Sequence, residues 1–306
     1  MTDDHTTAAA AGTWQFGDRT VNRMGFGTMR LTANPDRSVA VAVLRRAVEL
    51  GVDHLDTAAF YVTPGGIIRH GEGPPRYATE LISEALAPYP ENLVIATKVG
   101  PGIDDDGTFY QATTGDQLRR QVEENLRRLG VDRLDLVNLR IIRKAGADSV
   151  ADRFGALARM RDEGLIRHLG LSNVRADHVE EAAAIAPVVC VQNSYGIDVH
   201  RDDDALVARC GELGIAYVPF FAIAGNDREK GATSTPSDAL AAVASAHGAT
   251  PQQIRLAWTL HRGPHVLAIP GTGSLDHLEE NVAAGTLHLT TEDLAALDGT
   301  DSHTGR

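Results

Sequence analysis

The sequence predicts an α/β protein folded as a closed (β/α)8 barrel behind a short N-terminal β-hairpin, and three observations carry that prediction. Eight short, nearly all-apolar runs recur along 306 residues, segments of helical period separate them, and no Pro/Ser-rich linker or composition shift divides the chain. Strands apolar on both faces belong to parallel sheets. Eight strand–helix units in a chain of this length favour closure into one barrel over an open sheet.

The elements follow in order. Met1 to Gly12 is polar and then Ala-rich, without a cationic segment or an apolar h-region. We expect residues 1–12 to be a loose tail rather than a signal peptide, and residues 13–306 to form a single barrel domain. Thr13 to Val21 suggests a hairpin turning at Gly17-Asp18. The eight candidate strands are Met24–Gly27, His54–Asp56, Leu93–Val99, Leu134–Leu139, Arg167–Leu171, Val188–Gln192, Ala216–Pro219 and Val266–Ile269.

Helices are legible between them. Thr114 to Leu129 opens on the capping-box pattern Thr114-Gly115-Asp116-Gln117 and carries Leu118, Val122, Leu126 and Leu129 on one face; Gly130 supplies the stop. Ser38–Leu50 stops at Gly51 and Asp203–Leu213 at Gly214 in the same way. Pro251–His261, Ser274–Ala284 and Thr291–Leu297 complete the set. Two long aperiodic stretches, Val62–Arg76 and Ala224–Ser237, follow strand C-terminal ends, the face where barrel enzymes keep their chemistry.

Composition narrows the function. A chain 43% hydrophobic and 23% charged is ordinary for a globular protein. A net charge of -12 argues against nucleic acid or an anionic membrane as partner, and no apolar stretch is long enough to span a bilayer. The two cysteines suit a reduced compartment, and Cys190, in Val188-Val189-Cys190-Val191, reads as a buried core residue. No cluster has zinc-ligand spacing, so no metal is expected. The expected location is the cytoplasm, and the expected state a monomer or small homo-oligomer.

Gly25-Phe26-Gly27 invites a dinucleotide-fingerprint reading, but Arg30 stands at the third glycine position. The glycines instead let the first strand end close to a ligand. A stronger signal is Asp56-Thr57-Ala58-Ala59-Phe60-Tyr61, where a strand ends in an acid and a tyrosine follows five residues later. The next strand ends in Thr97-Lys98-Val99, a lone lysine in an apolar run that needs a carboxylate partner. Asp56, one strand earlier, is the natural one. A cation beside Tyr61 stabilises its phenolate, which fits the phenol to donate a proton to a carbonyl oxygen. These three residues taken alone fit a rim salt bridge beside a packing tyrosine equally well.

Together with Gly170-Leu171-Ser172-Asn173-Val174 and Ile269-Pro270-Gly271-Thr272 followed by Glu280-Asn281, these segments resemble the aldo-keto reductase superfamily, in order, from about Arg19 to Leu297. The resemblance implies a TIM barrel that binds NADP(H) across its C-terminal rim and reduces a small-molecule carbonyl. It makes Asp56, Tyr61 and Lys98 three of four catalytic positions. It places Ser172, Asn173 and Gln192 at the nicotinamide carboxamide, Phe220 against the nicotinamide ring, and Glu280 and Asn281 at the adenine end. Gly27, Thr28 and Asp56 are expected to contribute to the same cofactor site.

Two departures stand out. Arg140 occupies the fourth catalytic position, usually a histidine; a guanidinium cannot shuttle a proton but can polarise an oxygen. A rim salt bridge is its plain structural alternative. Where many members hold the 2′-phosphate with Lys and Arg, this chain has Gly271 and His277, leaving Thr272, Ser274 and backbone N–H groups at a helix start. Val137-Asn138-Leu139-Arg140, Val191-Gln192-Asn193 and Ala216 to Phe221 resemble the pyridoxal reductase-like branch. The segment Val62–Arg76 is longer than in that branch and Ala222 replaces a usual proline, so pyridoxal itself is not fixed as substrate. Arg69, His70 and Arg76 are either solvated or meet an anionic substrate group. The alternatives to carbonyl reduction are an ene-reductase, a non-catalytic NADPH-binding regulatory subunit and a Lys98 Schiff-base aldolase.

Overall fold

The computed structural model describes residues 7–66, 68, 71, 73–103, 107–143, 146, 148–197, 203–220, 222–223 and 236–299. Seven parallel strands form one sheet in the order β13-β12-β11-β10-β7-β4-β3. These are β3 (Phe26–Gly27), β4 (His54–Asp56), β7 (Val94–Val99), β10 (Leu134–Arg140), β11 (Ile166–Ser172), β12 (Val188–Gln192) and β13 (Ala216–Tyr217). The expected eighth strand is present only as bridging backbone. Val266 pairs in parallel with Tyr217, and Ala268 with Met24. Leu267 N donates to Tyr217 O at 2.9 Å and Gly25 N to Ala268 O at 2.8 Å, so the ring closes.

Helices cover the outside: α1 (Arg37–Glu49), α2 (Ala78–Leu86), α3 (Gly115–Leu129), α4 (Ala151–Asp162), α5 (Ala176–Ala183), α6 (Asp204–Glu212), α7 (Asp238–Ala246), α8 (Pro251–His261), α9 (Leu275–Ala283) and α10 (Thr291–Asp298). The capping box on α3 is made as its sequence implies, with Gly130 in the left-handed region at φ 68°. Helices α2, α4, α5 and α7 went unread in the sequence.

The core has two layers. The larger lies between strands and helices. The smaller fills the barrel with Val94, Ala96, Leu136, Cys190, Ala216, Val218 and Leu267. The hairpin β1 (Thr13–Phe16) and β2 (Arg19–Asn22) seals its floor by adding Phe16 and Val21 to that interior cluster. Asp18 in the turn is paired with Arg167 and His168 at the start of β11.

The tail needs correction. Ala8–Ala11 form a 3-10 turn with Ala8 and Ala11 buried, and Ala8 N donates to Leu50 O at 2.8 Å. Alanine is small enough to seat that turn against the end of α1 and against Gly285. Residues 1–6 lie outside the described residues.

Two antiparallel pairs not foreseen in the sequence stand between barrel strands and helices. They are β5 (Val62–Thr63) with β6 (Arg76–Tyr77), and β8 (Pro101–Ile103) with β9 (Phe109–Gln111). The first pair gives the Val62–Arg76 stretch ordered ends. Arg76 is neither solvated nor free for substrate: it is buried, and its Nε donates to Thr32 O at 3.0 Å. Arg69, His70 and most of Ala224–Ser237 lie outside the described residues, as does Phe221.

Candidate active site

Side chains that alternate into the barrel converge at the C-terminal ends of β4, β7, β10, β11 and β12. Lys98 Nζ donates to both oxygens of Asp56, at 2.8 and 2.7 Å, and to Thr57 O at 3.1 Å. The side chains of Lys98 and Asp56 are only 1% and 5% exposed. The expected pairing therefore exists, deep enough that neither charge is hydrated. Burial acts to lower the Lys98 pKa; the charges of Asp56 and Tyr61 overcome it and hold the ammonium above the usual lysine value.

Tyr61 lies over this pair, its ring centroid 4.7 Å from Lys98 Nζ. A turn places it there: Tyr61 N donates to Ala58 O at 3.0 Å, and Ala78 N to Tyr61 O at 2.9 Å. Phe60 packs edge-on against the phenol at 5.3 Å between centroids.

Gln192 reaches in from β12, its Nε2 donating to Asp56 Oδ1 at 2.7 Å. Its other amide atom, Oε1, is buried without a partner among the described residues. A buried acceptor left over beside an acid is suited to an incoming amide N–H. The nicotinamide carboxamide brings that group, so the residues present fit the cofactor at this end. Ser172, fully buried, accepts from Arg140 Nη1 at 3.0 Å. Asn173 holds a left-handed backbone at φ 59°, a conformation asparagine tolerates better than most residues. Its Nδ2 donates to Ile141 O at 2.7 Å.

Arg140 ends β10 with its guanidinium carbon 4.6 Å from the Phe220 ring centroid. No carboxylate lies within 4 Å of it among the described residues, so the salt-bridge alternative is not what the geometry shows. Burial draws its pKa below the usual arginine value, against the pull of Tyr61 and Asp56.

A cleft opens above these groups, lined among the described residues by Gly27, Asp56, Tyr61, Phe220 and Gly271 together with Met29, Arg30, Pro219, Ala222, Ile223, Ile269 and Pro270. Gly27 serves a purpose beyond the one expected. A Cβ there would come 2.7 Å from Ile269 O, so the glycine lets two backbone segments meet where the barrel closes. Thr28 does not line the cleft; fully buried, it donates from Oγ1 to Asp56 O at 3.0 Å and fixes the end of that strand. Beyond Gly271 the chain runs into α9. Thr272 Oγ1 accepts from Ser274 N at 3.1 Å, and Ser274 Oγ caps α9 by accepting from His277 N at 3.4 Å. Both hydroxyls are thus engaged in the turn, with His277 exposed, Glu280 half-buried and Asn281 buried further along α9.

Sequence reading missed Thr57 as a third acceptor for Lys98, and Met29, Pro219 and Ile223 as cleft walls. It saw Arg30 only as the residue that spoils a glycine motif. The available signal was position, since each lies within four residues of a singled-out strand end.

The aldo/keto reductase family profile matches residues 23–302. The chain is 43% identical over 301 residues to a pyridoxine 4-dehydrogenase of Escherichia coli (strain K12), covering 95% of this chain and 98% of that protein. A thermostable aldo-keto reductase solved with the inhibitor epalrestat is 30% identical and superposes with a TM-score of 0.74, over 94% of this chain and 98% of its own. An aldo-keto reductase of Klebsiella pneumoniae solved with NADPH is 27% identical, with a TM-score of 0.75 over 94% of each chain. A barrel closed through residues 265–268, a buried acid–lysine pair under a tyrosine, and a match across nearly the whole chain lead to one conclusion: the protein belongs to the aldo/keto reductase family.

Proposed function

We propose that the protein reduces an aldehyde or ketone to an alcohol with NADP(H), Tyr61 acting as the general acid. The observation that carries this reading is the buried Lys98 ammonium, which spans both oxygens of Asp56 and faces the Tyr61 ring. Bound NADPH supplies a hydride to the carbonyl carbon. The chain's own residues manage the proton. Asp56 anchors Lys98; Lys98 stabilises the negative charge that grows on the Tyr61 oxygen as its proton passes to the carbonyl oxygen. Gln192 fixes the Asp56 carboxylate, and its unused Oε1 would accept from the nicotinamide carboxamide of a bound cofactor. A lysine held as ammonium is a poor Schiff-base nucleophile, which counts against the aldolase alternative.

Substrates are to be sought among aldehydes and ketones, pyridoxal included, since one relative is a pyridoxine 4-dehydrogenase. Tyr61→Phe is expected to lower kcat by about 10²–10⁴-fold while NADPH binding, followed by fluorescence titration, stays within about twofold. A fully active Tyr61→Phe refutes the assignment. Wild-type protein that binds NADPH yet reduces no carbonyl in a broad panel refutes catalysis itself. An enone separates the remaining alternative: carbonyl reduction yields the allylic alcohol, ene reduction the saturated carbonyl compound.

A further inference from the structure

Arg140 is the last residue of β10, and its guanidinium lies at the mouth against Ser172 and Phe220. Tyr61 and Asp56 are near enough for their charges to act on it. With no ion pair to hold it among the described residues, its place depends on one hydroxyl, one ring and the backbone that carries it.

That backbone loses its strand partner at this point. β10 pairs with β7 only as far as Leu139 opposite Val99. Gly100 then turns away at φ 119°, and a Cβ there would come 2.2 Å from Arg140 O. Continuing the ladder on this side takes a donor for Arg140 O and an acceptor for Ile142 N, the two groups that one residue of a parallel neighbour serves.

Gln111 supplies both. It ends β9, outside the barrel; its Nε2 donates to Arg140 O at 3.2 Å and to Ala112 O at 3.4 Å, and its Oε1 accepts from Ile142 N at 2.8 Å. One partner being a carbonyl and the other an N–H, a single orientation of the amide satisfies both. The β8–β9 hairpin is itself fastened to the end of β7: Ala112 N donates to Gly100 O at 2.7 Å, and Gly100 N to Gln121 Oε1 at 2.7 Å. On the opposite flank Ile141 N donates to Ser172 O at 2.9 Å, and Asn173 Nδ2 to Ile141 O at 2.7 Å. Residues 140–142 are thus held from both sides, with a side-chain amide standing in for a peptide unit on one of them.

We infer that Gln111 is a positioning residue, whose amide extends the parallel ladder past the end of β7 and so sets Arg140 at the reacting centre. This rests on the carbonyl reduction proposed above, with Arg140 polarising the substrate oxygen. The two bonds are ordinary in strength, but a misplacement of about 1 Å at the reacting centre costs about a hundredfold in rate.

The test is a double-mutant cycle. kcat and KM are measured for wild type, Gln111→Met, Arg140→Met and the double variant, following NADPH loss with 4-nitrobenzaldehyde and with the most rapidly reduced carbonyl of the panel above. Gln111→Met is expected to lower kcat about ten- to hundredfold with KM little changed, and to leave NADPH binding within about twofold. In the Arg140→Met background the same change should alter kcat by less than about twofold, because the group it positions is gone. Gln111→Glu keeps the acceptor for Ile142 N and loses the donor for Arg140 O. It should hold the wild-type melting temperature more closely than Gln111→Met and still lose kcat. A merely structural role lowers kcat by the same factor with and without Arg140, or lowers the melting temperature alone; either result overturns the inference. So does a fully active Arg140→Met, while carbonyl reduction stands. Wild-type enzyme that reduces no carbonyl overturns both.

Discussion

The two ends of the barrel each hold an aspartate facing cationic partners, under opposite conditions. At the mouth, Asp56 and Lys98 are 5% and 1% exposed. On the floor, Asp18 is 52% exposed beside Arg167 and His168. Solvent screens the floor cluster, so it ties the hairpin turn to β11 at small energetic consequence. The mouth pair is not screened. Each charge offsets the other, and removing one leaves an uncompensated buried charge. A contact that stabilises little can sit anywhere the surface allows, whereas one proposed to tune a proton donor has to be dry.

The sharpest way to break this comparison is to delete one partner at the mouth. Lys98→Met should abolish turnover and cost about 3–5 kcal/mol by urea denaturation, because Asp56 remains buried without its cation. Adding Asp56→Asn should return most of the stability and none of the activity. If Lys98→Met costs no more than a surface change, the mouth and the floor do not differ as argued.

The floor gives the smaller effect, with a pH signature. Hydrogen bonds from Arg167 and His168 lower the Asp18 pKa from the usual carboxylate value to about 2. A lowered folded-state pKa contributes stability above the unfolded value, about 3.9, and that contribution is lost as pH falls toward 2. Asp18→Asn should therefore cost less than about 1 kcal/mol near neutrality, given its exposure. The gap to wild type should close between about pH 4 and pH 2, with NADPH-linked activity unaltered at pH 7. Melting temperatures across that range check it; a gap that persists at pH 2 refutes the linkage.

The same contrast explains what the sequence discloses. Asp56, Tyr61 and Lys98 were legible because each breaks a local rule: a charge closes an apolar run, and a tyrosine trails a strand end at short spacing. Gln192 was placed by resemblance alone. Its bond to Asp56 spans 136 positions and depends on how the closed barrel brings strand ends together. Arg76 misled because it closes a Gly- and Pro-rich stretch that reads as loop, while its burial is imposed by Thr32, 44 positions away. The Ala-rich start misled for the same reason, since what covers Ala8 and Ala11 comes from Leu50 and Gly285. The eighth strand was read at full length from its apolar run, yet it pairs only at Val266 and Ala268. Local pattern shows which residues are unusual; only closure shows what they meet.

The smallest expected effect concerns the far end of the mouth, where α9 begins. Backbone N–H groups behind the Ser274 cap are the anion-holding groups that the sequence leaves for the 2′-phosphate of NADP, with no lysine or arginine in the Gly271 to Asn281 stretch to assist them. A helix start holds an anion by about 0.3–1 kcal/mol when exposed, so NADPH should bind about two- to fivefold more tightly than NADH. Asp276 stands in the first turn of α9 and opposes that charge. Asp276→Asn should widen the preference, and more so at low salt, because the repulsion is screened by ions. Paired fluorescence titrations of NADPH and NADH on both proteins decide it. Equal dissociation constants in the wild type, or a preference that Asp276→Asn narrows, would show that the phosphate is held elsewhere on the rim.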